Sequence, residues 1–145
     1  MFLCLFVSLN HKHKTMTFSS FEDLEIWKEA RELAKLVRAF TRREPFNKDL
    51  RFIAQINASS GSIMDNVAEG FERDGHKEFI QFLYVAKASN GECRSQSYRA
   101  FDAGFISTEE LDNLLSRTKS IRNKTLGLIA YRNNSPHRGN KYKDR

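Results

Sequence analysis

The sequence predicts an all-α fold, an antiparallel up-down-up-down four-helix bundle, on three observations. Four stretches repeat apolar residues at alternating steps of three and four, and the breaks between them are short. Only 2 prolines and 7 glycines punctuate 145 residues, too few for a loop-rich or all-β design. Short breaks force antiparallel neighbours, so four helices of ~20 residues pack most simply as a bundle. One core suffices, since a chain of this length buries roughly two thirds of its unfolded surface in a single domain.

The first helix is predicted from about Ser20 to Thr41, with Ile26, Ala30, Leu33, Val37 and Phe40 on one face and Leu24, Trp27 and Ala34 widening it. Ser19 with Glu22, or Ser20 with Asp23, can cap its start, and Pro45 and Asn47 open a turn after it. A second helix starts near Asn47 to Asp49 and carries Ile53, Ile56, Ser60, Ile63 and Val67 toward Gly70 and Phe71. Asp74-Gly75 breaks it, with the glycine expected in the left-handed conformation that closes a helix.

The third helix spans about His76 to Ala103, with Phe79, Leu83, Ala86, Asn90, Cys93, Ser97 and Ala100 facing inward and Gly104 ending it. A second apolar stripe of Phe82, Tyr84 and Val85 predicts burial on more than one side. Ser107-Thr108-Glu109-Glu110 is a capping box, S-x-x-E, opening a fourth helix whose inner face is Leu111, Leu114, Thr118, Ile121, Thr125 and Leu128. Fraying is expected by Tyr131 to Asn134. The domain boundaries follow: 1–17 a disordered or untranslated extension, 18–132 the bundle, and 133–145 a disordered basic tail.

The net charge of +6 sits mainly at the ends. Lys12 and Lys14 lie in the first 15 residues, and Arg138, Lys141, Lys143 and Arg145 oppose only Asp144 in the last 13, so residues 16–132 carry about +1. Met1 to Leu9 is apolar but has no basic region before it, and no run approaches the ~20 apolar residues of a membrane span. A cytoplasmic protein without a membrane partner is expected.

Spacing argues against catalysis. No Glu-x-x-His pair, Walker loop, G-x-G-x-x-G or H-E-x-x-H occurs, and His11, His13, His76 and His137 lie in the tails or at a helix start. Ser60 and Ser89 have no predicted histidine partner, and Cys4 and Cys93 match no zinc or redox spacing. The expectation is therefore a non-enzyme with no catalytic residue, no metal and no cofactor.

Two constellations remain. A polar set lies along the packing faces, with Asn57, Ser59, Ser60, Ser62, Asn66 and Glu69 on the second helix and Ser89, Asn90, Glu92, Arg94, Ser95 and Gln96 on the third. Buried polar groups must pair, so Asn66, Glu69, Ser89, Glu92 and Arg94 are read as a structural network fixing register or subunit orientation, with a ligand or RNA site as the alternative. The second constellation is basic. Arg38, Arg42, Arg43, Lys48 and Arg51 surround the first turn with Phe40, Phe46 and Phe52 interleaved, and Arg117, Lys119, Arg122 and Lys124 lie on the fourth helix. Cations hold phosphates and exposed aromatics stack on unpaired bases. A solvated face with core phenylalanines explains the same residues equally well.

Three stretches carry a family resemblance: Phe21-Glu22-Asp23-Leu24-Glu25-Ile26-Trp27, the run Ser62 to Phe71 with its N-x-x-E-G element, and Lys77-Glu78-Phe79-Ile80-Gln81-Phe82-Leu83. From about Phe18 to Leu128 the chain resembles the four-helix bundle family also labelled S23 ribosomal protein or 23S rRNA intervening-sequence protein. That family is in turn similar to the accessory variability protein of diversity-generating retroelements. The resemblance implies a small bacterial bundle that assembles as a homopentamer and binds RNA or DNA, with a protein partner as the alternative. Many members carry paired arginines just before the serine matching Ser62, where this chain has Asn57-Ala58-Ser59-Ser60. Relatives begin a few residues before the F-x-x-L-x-x-W element, which implies initiation at Met16 rather than Met1.

Overall fold

The computed structural model describes residues 17–136, and the expectations placed on 1–16 and 137–145 lie outside the described residues. Four helices account for most of it: α1 (Glu25–Thr41), α2 (Leu50–Glu72), α3 (His76–Asp102) and α4 (Thr108–Asn133). Residues 42–49, 73–75 and 103–107 join them. Links this short make sequential helices antiparallel neighbours, and α4 returns to close against α1. Among the described residues no diagonal pair of helices brings its backbones close together, so each helix turns one side to the core and one to solvent.

The core runs the length of the bundle. Ala30, Leu33 and Val37 of α1, Ile56, Ile63 and Val67 of α2, Leu83, Ala86 and Cys93 of α3 and Leu114 and Ile121 of α4 are all buried. All seven predicted inward residues of α3 lie there. Phe46, in a short 3-10 turn before α2, closes one end by stacking on Phe105 at 4.5 Å and packing against Phe52 at 5.4 Å. Phe71 and Phe79 meet edge to face at 5.9 Å toward the other end.

The helix ends follow local chemistry. A 3-10 turn at Phe21–Asp23 precedes α1, with Asp23 Oδ2 accepting the Ser19 and Ser20 N–H groups at 2.9 and 3.1 Å. Leu24 sits just outside α1 in extended conformation, buried rather than widening a helical face. Asp49 Oδ1 accepts the Phe52 N–H and caps α2. The predicted capping box of α4 forms, with Glu110 N–H donating to Ser107 Oγ at 3.2 Å and Ser107 N–H to Glu110 Oε2 at 3.0 Å.

Four expectations need correction. Asp74, not Gly75, holds the left-handed conformation between α2 and α3, at φ 55°. Aspartate tolerates that region, and Gly75 instead leads into α3 at φ −106°. On α4 the inner face ends on Ile129 rather than Leu128, because a second step of four from Thr125 keeps the stripe on the core. On α2 Phe52 takes the core position and Ile53 is half-buried. The second stripe of α3 is buried only in part: Phe82 is half-buried, but Tyr84 is 50% and Val85 44% exposed. With only α2 and α4 beside it, α3 has no third neighbour to cover that side.

Gly104 ends α3 at φ 75°, with Phe105 N–H donating to Ala100 O and Gly104 N–H to Phe101 O, the paired bonds of a Schellman turn. Replacing Gly104→Ala places a side chain in the left-handed region. A loss of about 1 kcal/mol, read as a lower urea midpoint at unchanged slope, is expected.

Candidate nucleic-acid interface

Helical spacing decides which cations share a surface. Arg31, Lys35, Arg38 and Arg42 step by four, three and four along α1, so all four stand on one ridge. They border an open groove of about 430 Å³ whose apolar wall is Ala34, Ala39 and Met64, the last from α2. Lys35 is held by Glu32 at 3.1 Å, and the Arg31 guanidinium lies 5.7 Å from the centre of the Trp27 ring. Arg38 and Arg42 pair with no carboxylate among the described residues.

The basic cluster read around the first turn does not stay together. Arg43 forms a two-pronged pair with Glu110 at 2.6 and 2.8 Å and lies over the Phe40 ring. Lys48 pairs with Glu44 at 3.5 Å, and Arg51 lies in a separate cleft between α2 and α3. Phe40, Phe46 and Phe52 are core residues, so their rings are closed to bases. On α4, Arg117 donates to Asn113 and Lys124 pairs with Glu29 of α1, while Lys119 and Arg122 are exposed. Turning about 100° per residue puts Arg117 and Lys124 on one side of α4 and Lys119 and Arg122 roughly opposite. Arg31 and Lys35 were missed, though the i, i+4, i+7, i+11 spacing of cations was there to find.

The Arg43–Glu110 pair ties the end of α1 to the start of α4. Its hydrogen bond holds the Glu110 carboxyl below its ordinary value of 4.5, with the Ser107 N–H adding to the effect and partial burial opposing it. A depressed folded value means a contribution present above pH ~4.5 and lost as pH falls through the lowered value. Arg43 is about half exposed, so screening keeps the pair small. Arg43→Gln is expected to cost under ~1 kcal/mol at pH 7 and almost nothing once Glu110 is protonated, as urea midpoints at the two pH values would show.

The polar set separates into distinct links. Asn66 donates to Ser62 O and Oγ at 2.7 and 2.9 Å, and Ser62 Oγ meets Ser89 Oγ at 3.0 Å, joining α2 to α3. Ser59 Oγ donates to Gln96 Oε1, whose amide donates to Glu92 Oε1 at 3.1 Å. Arg94 reaches α4, donating to Leu115 O at 2.6 Å and Thr118 Oγ1 at 3.0 Å. Glu69 stands apart, exposed and paired with Arg73 at 2.8 Å. These bonds register α3 against both neighbours. Cys93, buried among them, has its thiol pushed up to about 11 by desolvation, which suppresses the thiolate a nucleophile needs. Among the described residues no group of three or more His, Cys, Asp or Glu is placed to hold a metal ion. No described helix is long and apolar enough to cross a membrane.

Residues 22–127 match the model of the 23S rRNA-intervening sequence protein family. Among solved structures the chain is similar to a protein with unknown function from the S23 ribosomal protein family of Bacteroides thetaiotaomicron. The TM-score is 0.66 at 19% identity, over 72% of this chain and 95% of that one. At that identity the likeness carries the fold. No curated protein matches the chain.

Proposed function

The chain belongs to the 23S rRNA-intervening sequence protein family, and on that premise we propose that it is a non-enzymatic, homo-oligomeric adaptor that binds the phosphate backbone of RNA or DNA. The observation that carries this is the α1 ridge: four cations on one groove, two of them without a carboxylate partner among the described residues. At 1.5 Å per residue the ridge is about 16 Å long, enough to meet several backbone phosphates. Such binding reads backbone rather than base edges, and the burial of Phe40, Phe46 and Phe52 fits that mode.

Self-association, pentameric by family resemblance, is supported by the outward side of α3. Tyr84, Ala88, Gly91, Ser95 and Tyr98 share one ridge, and both tyrosines are about half exposed. Exposed apolar surface of this kind marks protein contact. Several copies of a weak phosphate site would give avidity that one copy lacks. The same side of α3 also favours a second reading, a protein-interaction module without nucleic-acid binding.

Titration of the full chain with structured RNA and with duplex DNA, at low and high salt, separates the two. Phosphate contacts release counterions and weaken steeply as salt rises, so a steep fall supports the adaptor. Absent binding, or binding indifferent to salt, supports the protein-interaction module.

A further inference from the structure

On the other side of α2, facing α3, Asp49, Arg51, Phe52, Gln55 and Arg99 line an open cleft of about 350 Å³. Arg99 spans it: its guanidinium lies 4.5 Å from the centre of the Phe52 ring, and its Nη1 donates to Gln55 Oε1 at 3.4 Å. The long bond and the ring face hold the guanidinium plane while leaving most of its five N–H donors unused. Arg51 is exposed. Neither arginine lies within ion-pair distance of a carboxylate among the described residues. The one acid in the cleft, Asp49, has Oδ1 engaged by the Phe52 N–H at 3.0 Å.

We propose that this cleft is a phosphate site, with Arg99 as the pre-oriented fork and Arg51 as the second cation. Two guanidinium groups from two helices suit an anion with oxygens to spare for both, and a tetrahedral phosphate has them where a carboxylate has only two. The helix start is already capped by Asp49, so the site belongs to the side chains rather than to the backbone. It lies across α2 from the α1 groove and goes beyond the backbone binding assigned there. A terminal phosphate of a nucleic-acid chain and a free phosphorylated small molecule present the same group.

The test is a titration of the full chain with inorganic phosphate, followed through the arginine Nε–H resonances. A saturable response of Arg51 and Arg99 is expected, weakened about tenfold or more in Arg51→Gln and in Arg99→Gln and unchanged in Arg38→Gln of the α1 groove. Arg51 is an exposed residue near the start of α2, so its replacement leaves the core intact and its variant remains informative if Arg99→Gln is unstable. A short single-stranded RNA with a 5′-phosphate, binding more tightly than its unphosphorylated twin and losing that advantage in Arg51→Gln, assigns the site to a chain end. Equal affinities alongside phosphate binding assign it to a free phosphorylated molecule. No saturable response, or one that both glutamine variants leave intact, overturns the proposal. Either result leaves the salt dependence set by the α1 ridge as it was, so the two sites fail separately.

Discussion

Gly70→Ala is expected to destabilise the bundle by about 2 kcal/mol, an unusual result for a substitution that improves helix propensity. A Cβ at Gly70 would lie 2.4 Å from Phe82 Cβ and 3.2 Å from both Phe82 Cγ and Phe79 Cδ2. Phe82 Cβ is fixed to the α3 backbone, so no rotamer change relieves the overlap and the two helices must separate. Overpacking of this kind costs ~1–3 kcal/mol and sometimes more, against about 1 kcal/mol returned by propensity. Gly61→Ala on the same helix is the internal control. The methyl group it adds would meet no atom within 4 Å, and a gain of several tenths of a kcal/mol is expected. Thermal melts of the two variants should move in opposite directions, Gly70→Ala down by roughly 6–8 °C. Equal shifts would mean that α2 and α3 do not approach this closely.

That contact gives the N-x-x-E-G element a physical meaning that its letters did not carry. Asn66 ties α2 to α3 through Ser62 and Ser89, Gly70 lets the helices close, and Glu69 between them faces solvent. Burial periodicity was legible because it depends on helix geometry alone: seven of the eight buried residues of α3 were read from their three-four spacing, all but Gln96. The α4 cap was legible because serine and glutamate three apart satisfy each other's neighbourhoods locally. What failed needed tertiary knowledge. Phe82, Tyr84 and Val85 read as a second apolar stripe, and only the absence of a third neighbour leaves Tyr84 and Val85 exposed. Asp74 and Gly75 both permit a sharp turn, and the sequence does not say which one takes the positive φ.

The basic residues were the hardest to place for a related reason. A set of cations near a turn does not show which have already found acids. Arg43 was spent on Glu110, 67 positions away, and Lys124 on Glu29, 95 away. Arg31 and Lys35 were overlooked because Glu25, Glu29 and Glu32 alternate with them in sequence. Glu29 is drawn to α4 by Ser120 and Lys124, leaving the ridge more cationic than its local composition suggests.

The central claim is that the α1 ridge meets phosphate, and the salt dependence of binding by Arg38→Glu/Arg42→Glu tests it most directly. If the four cations each meet a phosphate, log K for duplex DNA should fall with log salt at a slope near −3 to −4 per bound chain. The double variant removes two contacts and adds two repelling charges. Its slope should drop by about 2, with affinity lower by at least tenfold at low salt and an unchanged melting temperature. A double variant that binds with the wild-type affinity and slope would contradict the account and leave the α1 ridge as solvated surface.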